Sequence, residues 1–406
     1  MLEFKIAFRN LFRQRSRSLL SGLSMMLAFM LLSLSLGFGE GSYSNIIRLL
    51  TDNQTGHIQI HQQGYLDRPT LYKNFEVTPE ITQILENEPA VKAFSSRVHS
   101  AGLIFGEQKS SIVRLIGMDP EKEPQVSQIT ALVHTGNYFD EVNVRNPLLL
   151  GYGAQRLLQT KLGDEVILLT QGADGSMAND LFTVTGIVGN ESDPSTANTA
   201  YVPLSVIQQF LTMGNQVHEV VIRLNSYKDS RRETKVLSKK ISDESLDIEP
   251  WEVVASDFYK AMQVDKQGNW VSIIVIMIMV GVVVLNTVLM NTLERQSEFG
   301  VMKALGTAPW LIFRAILLEM FLLSLISCGI GGVLALGLNY YFTVAGIPVD
   351  PPIEFGGIVF EKMVSEVSWF VFWVPGLLTI ATAVIVAVYP AIKAARTIPV
   401  KAIRGE

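Results

Sequence analysis

Apolar residues are unevenly spread along this chain. They collect in four unbroken stretches, one near the N-terminus and three in the last third, at residues 19–38, 270–290, 311–336 and 369–389. A helix needs about 20 largely apolar residues to cross a bilayer, and each stretch has that length. Trp270, Trp369, Trp373 and Tyr389 fall near stretch ends, where amphipathic rings prefer the membrane interface. No A-x-A-like site follows the first stretch, which continues Gly37-Phe38-Gly39-Glu40-Gly41-Ser42. It is therefore expected to stay as an anchor rather than be cleaved as a signal peptide.

Between the first two stretches the pattern turns to short alternations. Residues 56–61 alternate with period two, as a strand does. Thr78-Pro79-Glu80 reads as a helix start with Pro at the first helical position, running to Asn87. A strand begins at residues 91–94. The pattern returns later, with a strand at 219–224, a charged helix at 229–241 and a strand at 247–253. Two β-α-β units parted by an insertion predict a split ferredoxin-like subdomain. The insertion, 100–210, carries β signals: a Leu162-Gly163-Asp164 turn before a strand, the hairpin turn Gly172-Ala173-Asp174-Gly175, and a return strand at 182–188.

The predicted fold is thus a membrane α-helical protein with four transmembrane helices and a large α+β domain. Its parts are an amphipathic N-terminal segment (1–18), a first span (19–43) and the large domain (44–268). Within that domain 44–99 and 211–268 form the α/β subdomain and 100–210 the β-rich insertion. There follow a second span (269–292), a short loop (293–310), a third span (311–338), an external loop (339–368), a fourth span (369–390) and a tail (391–406).

Charge gives these parts a direction. Lys5, Arg9, Arg13, Arg15 and Arg17 precede the first span, Arg295, Lys303 and Arg314 flank the 293–310 loop, and Lys393, Arg396, Lys401 and Arg404 follow the fourth span. The loop between the third and fourth spans is acidic, with Asp350, Glu354, Glu361 and Glu366 against Lys362. The excess of Lys and Arg predicts both termini and the 293–310 loop in the cytoplasm, with the large domain outside. Of the 406 residues 48% are hydrophobic and 17% charged, and the mean hydropathy is +0.29. Soluble domains usually carry about a quarter charged residues. The net charge of −5 argues against a nucleic-acid partner. The single cysteine, Cys328, excludes a disulfide framework within the chain and a Cys-rich metal site.

The 293–310 loop is the most informative segment. It reads Glu294-Arg295-Gln296-Ser297-Glu298-Phe299-Gly300-Val301-Met302-Lys303-Ala304-Leu305-Gly306-Thr307. As a helix it brings Phe299, Met302 and Leu305 towards one face, turns Glu298 and Lys303 elsewhere, and ends at Gly306 as a C′ glycine. A short amphipathic helix of this kind suits a groove on a partner, or equally a position in the membrane interface. The segment from Glu298 to Thr307, followed by an apolar span containing Glu319, resembles the signature loop of the MacB/FtsX/LolC-LolE family of ABC permeases. The order of one span, a large domain and three spans is similar to that family too. So are the basic run Phe8-Arg9-Asn10-Leu11-Phe12-Arg13-Gln14-Arg15 before a span ending Leu36-Gly37-Phe38-Gly39, the run Thr55-Gly56-His57-Ile58-Gln59-Ile60, and the Leu162-Gly163-Asp164 turn.

The resemblance implies a non-catalytic permease subunit of a bacterial inner membrane. It implies dimerisation through the first and second spans, with a second copy or a paralogue. It also implies docking of a cytoplasmic ATPase dimer on the loop helix, called a coupling helix, through Glu298, Phe299, Gly300, Val301, Met302, Lys303, Ala304, Leu305 and Gly306. No G-x-x-x-x-G-K-[ST] motif occurs in these residues. ATP and Mg are therefore expected on the partner subunit, with no cofactor in this chain. A fused ATPase marks the MacB branch, and a separate one the LolC/LolE and FtsX branches. The large domain exceeds the usual FtsX size, so the expected function is LolC/LolE-like: extraction of lipoprotein or another lipidated or amphipathic substrate, with a periplasmic carrier as a further partner. The alternatives are an FtsX-like subunit regulating a periplasmic cell-wall enzyme and a MacB-like efflux permease.

Several side chains stand out singly. Glu319 lies within the third span, where an ionisable group is costly and marks function or a polar clamp; Asn286, Asn291 and Thr292 of the second span are its expected partners. Met26, Met30 and Phe38 of the first span and Met277 of the second are expected to line a cavity for membrane lipid or acyl chains, since methionine adapts to irregular apolar shapes; ordinary packing residues fit the same pattern. Gly331, Gly332 and Gly337 are expected to allow close helix approach. His57 and His61 share a strand face but have no supporting ligand nearby in sequence, so they read as exposed or packing residues rather than a metal site.

Overall fold

The computed structural model describes residues 15–139, 144–191, 194–355 and 358–398. Lys5, Arg9, Arg13, Lys401 and Arg404, with the basic run from Phe8, lie outside the described residues. The chain divides into two compact units, one formed by Met1–Ser44, Met262–Pro348 and Lys362–Glu406, the other by Asn45–Ala261 and Val349–Glu361.

The four long helices are Arg15–Leu50, Ser256–Glu294, Pro309–Val344 and Trp369–Ala395. All are long and apolar enough to cross a membrane. The first runs well past residue 43 and the second starts well before 269. Helical hydrogen bonding continues until a breaker arrives, not until hydrophobicity ends. The first helix passes into a π-helical turn, Thr51–Thr55, which Gly56 stops with φ +62°. Met25, Phe29, Leu32 and Leu36 recur on one stripe of the first helix and are fully or almost fully buried. Met25 meets Val284 and Val288 of the second helix, Met320 of the third, and Ala383 and Ala387 of the fourth. Leu19, Leu23, Leu27 and Leu31, on the other side, are exposed, as lipid-facing positions are. Gly331 sits against Met26, and a Cβ on Gly332 would meet the Phe372 ring at 2.6 Å. Gly337 differs from the expectation, since no atom lies within 4 Å of its Cβ direction.

The second unit is built on strands β1 (Ile58–Gln62), β2 (Phe75–Glu76), β3 (Val91–Phe105), β4 (Ser110–Met118), β5 (Val133–Gly136), β6 (Pro147–Gly151), β7 (Glu165–Gln171), β8 (Met177–Val188), β9 (Thr199–Pro203), β10 (Gln216–Val217), β11 (Glu219–Leu224) and β12 (Leu246–Pro250). A further pair, β13 (Ile347–Phe355) and β14 (Ile358–Met363), lies between the third and fourth long helices in sequence. The order β12-β1-β11-β3, with helices Pro79–Asn87 and Ser230–Lys240 as crossovers, is the split β-α-β topology. Thr78 caps the first crossover helix, its hydroxyl accepting from Ile81 N at 3.3 Å. Ile58 and Ile60 of β1 join Ile81, Leu85 and Leu237 of those helices, with Ile241 just past the second, in one core.

The insertion is not a separate layer. β3 pairs with β4, β4 with β9, β9 with β6, β6 with β8, β8 with β7, and β7 with β3 again. Six strands thus close into a ring, and Ile104, Val113, Leu168, Phe182 and Val184 fill it. The expected border at residue 100 falls inside β3, whose first part serves the α/β sheet and whose last part serves the ring. A 15-residue strand outlasts one sheet, and pairing continues wherever a partner is available.

Candidate functional site

The loop segment forms the helix Gln296–Ala304. Its end is a full Schellman motif: Thr307 N donates to Met302 O and Gly306 N to Lys303 O, both at 3.0 Å, with Gly306 at φ +95°. Phe299 is buried among Ile312, Ile316, Ala391 and Ala394 of the third and fourth long helices, and Met302 packs against the same cluster. Gly300 is buried beside it. The expected grouping of Leu305 with these two fails. Leu305 lies past the helical turns and is 82% exposed. The apolar face read from sequence is therefore spent inside the chain. What faces outward is Ser297, Val301, Ala304 and Leu305, with Val301 47% exposed.

Charged residues tie the helix down. Arg295 Nη1 donates to the Glu319 carboxylate at 3.0 and 3.4 Å, and Arg295 Nε reaches Glu298 at 3.4 Å. The guanidinium also lies 5.2 Å from the centre of the Phe299 ring. Lys303 Nζ donates to Ala395 O at 3.0 Å and Thr397 O at 2.8 Å, at the end of the fourth long helix. Glu319 is buried, and its partner is Arg295, not Asn286, Asn291 or Thr292. Asn286 is exposed, Thr292 Oγ1 donates to Val288 O, and Asn291 Oδ1 is buried without a hydrogen-bond partner. The second long helix ends at Glu294, and Arg295, the next residue, reaches Glu319 of the third. Sequence reasoning counted Arg295 as a loop cation, and Lys303 as a loop cation and a docking residue, and foresaw neither contact. Sequence spacing gave no signal for either contact, because the partners lie 24, 92 and 94 residues away.

The four residues expected to line one cavity divide. Met26 packs over Gly331, Met30 beside Phe29 and Cys328, and Phe38 against the Phe342 ring at 5.2 Å, all towards the third helix. Met277 instead packs near Leu378 and opens on an apolar groove of 480 Å³. Trp270, Ile274, Val282 and Leu285 line it from the second helix, and Thr382 and Val386 from the fourth. On a helix, residues at different angular positions reach different neighbours, however alike in type.

The second unit holds a buried polar cluster that sequence spacing hid. Glu219 of β11 lies across from His61 of β1 and from Arg97 of β3. Its carboxylate is 3.0 Å from His99 Nε2, 3.4 Å from Arg97 Nη1 and 3.7 Å from His61 Nε2. Arg97 also grips Glu123 at 2.5 Å and the Gln54 carbonyl. His218 Nδ1 accepts from His99 N, and Tyr65 stacks on both His61 and His218. Burial alone would raise the Glu219 carboxyl, but His99, His61 and Arg97 outweigh it and hold it well below the usual carboxylate range. Burial pushes His218 and His57 down to about 4. His57 and His61 are thus both buried, and the carboxylate absent from the local sequence is supplied across the sheet. Among the described residues no group of three His, Cys, Asp or Glu is placed to hold a metal ion.

This architecture matches known proteins over most of its length. Residues 18–233 match the MacB-like periplasmic core domain, and residues 270–399 the FtsX-like permease C-terminal region. The lipoprotein-releasing system transmembrane protein LolE of Haemophilus influenzae is 23% identical over 326 residues, covering 78% of each chain. Its counterpart LolC of Neisseria meningitidis is 20% identical over 381 residues, 87% of this chain and 86% of that one. The macrolide export ATP-binding/permease protein MacB of Acinetobacter baylyi is 22% identical, over 83% of this chain but 51% of its own length. The crystal structure of the periplasmic region of MacB from Actinobacillus actinomycetemcomitans aligns with TM-score 0.37 and 16% identity, covering 52% of this chain and 97% of that one. With four apolar helices, a MacB-like domain between the first two and an FtsX-like region around the last three, the chain belongs to the MacB/FtsX/LolC-LolE family of ABC transporter permeases.

Proposed function

We propose that this permease couples ATP hydrolysis by a separate cytoplasmic ATPase dimer to movements of its large domain, and so extracts lipoprotein or another lipidated substrate from the inner membrane. The observation that carries this reading is the match to LolE and LolC relatives along most of both chains. The permease works as a dimer, with a second copy or a paralogue. Both termini and the helix Gln296–Ala304 face the cytoplasm, a reading supported by the Lys and Arg excess on those segments. That helix is the coupling helix, and Val301, Ala304 and Leu305 are the side chains it offers to the ATPase. ATP and Mg reside on that subunit. This chain supplies no catalytic residue. Met277 and its apolar groove are suited to an acyl chain, whereas Met26, Met30 and Phe38 serve helix packing. A periplasmic carrier receives the substrate.

The test is hydrolysis by the permease co-purified with its ATPase in lipid nanodiscs. Added lipoprotein is expected to speed hydrolysis. An ATPase that co-purifies but ignores lipoprotein would replace this reading by the regulatory, FtsX-like one. Absence of any co-purifying ATPase would overturn both.

A further inference from the structure

The helix Gln296–Ala304 is joined to the rest of its unit in an uneven way. Helix Ser256–Glu294 ends just before Arg295, where the helical pattern is interrupted and carried on by backbone bonds from Arg295 N to Asn291 O at 3.3 Å and from Phe299 N to Arg295 O at 3.1 Å. Besides the Arg295–Glu298 pair, the side-chain contacts that hold the short helix among the described residues reach the third and fourth long helices. At its start Arg295 holds Glu319, a buried carboxylate ten residues into the third helix. In its middle Phe299 sits between Ile312 and Ile316 of the third helix and Ala391 and Ala394 of the fourth. At its end Lys303 closes two carbonyls left open at the end of the fourth helix, Ala395 O and Thr397 O, as a cation at a helix C-terminus does. Two charged attachments and one apolar plug, spaced along the whole helix, remove its freedom to roll or tilt against those two helices.

We propose that Arg295 and Lys303 are positioning residues that lock the short helix onto the third and fourth spans, so that these three helices move as one rigid body and the turn at 294–295 is the hinge to the second span. A push on Val301 and Leu305 then reaches the third and fourth spans directly and the second span only through that hinge. This rests on the docking reading given above for the direction of the push, but the lock itself is a property of this chain alone. Breaking a buried ion pair from one side leaves the other charge unpaired, which is costlier than removing both. Arg295 and Glu319 should therefore show strong coupling when altered together.

The experiment is amide hydrogen exchange of the full chain in lipid nanodiscs, read over residues 296–304. Arg295→Ala and Glu319→Gln are each expected to speed exchange there by roughly tenfold. The double variant should exchange no faster than the worse single one, and Arg295→Lys should keep most of the protection. Lys303→Met should loosen the helix end and residues 394–397 together. Ser297→Ala, on the outward face, should leave exchange over 296–304 unchanged. Glu319→Gln preserves shape and Lys303→Met preserves length, so they read the lock even where Arg295→Ala fails to insert. Unchanged exchange in both of these variants, or strictly additive effects of Arg295→Ala and Glu319→Gln, would overturn the proposal. Recovery of an ATPase in a pull-down bears on docking alone, and the exchange pattern on the lock alone.

Discussion

Placing Phe299 inside and Leu305 outside separates two effects that the sequence would have merged. Phe299 is 5% exposed and Leu305 82% exposed. Fully burying a leucine side chain is worth roughly 1.5–3 kcal/mol. Most of that is still to be gained at Leu305, and about half of a valine's worth at Val301, which is 47% exposed. Leu305→Asp forfeits that gain and adds the cost of drying a carboxylate. At about 1.4 kcal/mol per tenfold, the ATPase should bind at least about 30-fold more weakly. The fold should not change, because the Leu305 side chain is 82% exposed and outside the buried cluster around Phe299. Phe299→Ala should behave in the opposite way: emptying its site between the third and fourth helices costs roughly 3–5 kcal/mol of local stability. Met302→Asp belongs with it, since Met302 packs on the same cluster. The assay pairs recovery of ATPase on affinity-tagged permease with thermal unfolding of the permease alone. Leu305→Asp that still recovers the ATPase in full, or Met302→Asp that melts as the unaltered chain does, would refute the assignment of inner and outer faces.

Two further outcomes follow from other parts of the fold. His57 and His218 are held neutral at about 4, below the ordinary value near 6.5. The unfolded chain takes up those protons first, so stability is complete above about pH 6.5 and falls as pH drops towards 4, by up to about 3 kcal/mol per histidine. Thermal unfolding of the full chain at about pH 7.5 and about pH 5 should show this loss, and His218→Gln should remove about half of it, His57 keeping the rest; a level profile in the unaltered chain would remove the basis. In the four-helix unit, a Cβ on Gly37 would strike Asn339 Oδ1 and Ser365 Oγ. These share a buried hydrogen bond of 2.6 Å, and Asn339 Nδ2 donates to Ser33 Oγ at 3.1 Å. Gly37→Ala should cost about 1–3 kcal/mol, while Gly39→Ala, which meets only Asn269 Nδ2 at 3.3 Å, should cost far less, as unfolding of the two variants will report.

Local pattern alone determined much of this protein. The four helices were legible because apolar runs of about 20 residues have no other stable form in a bilayer. The crossover helix from Pro79 and the Schellman end at Gly306 were legible because capping depends on residues three to six apart. The strands at 219–224 and 58–62 followed from alternation, and their ferredoxin-like pairing from the order of elements. Tertiary structure decided whatever depends on which face meets which neighbour. β3 serves both the α/β part and the ring of one continuous sheet because β7 returns to pair with its last residues. Glu319 is answered by Arg295 and not by a polar residue of the second span, because helix packing brings the start of the short helix beside the third span. Glu219 gathers His61, His99 and Arg97 from two strands far away in sequence, which strand register sets and spacing cannot show. Met26 and Met277 look alike in sequence but face different helices. Periodicity fixes the angle of a side chain about its own axis, and only packing fixes what lies at that angle.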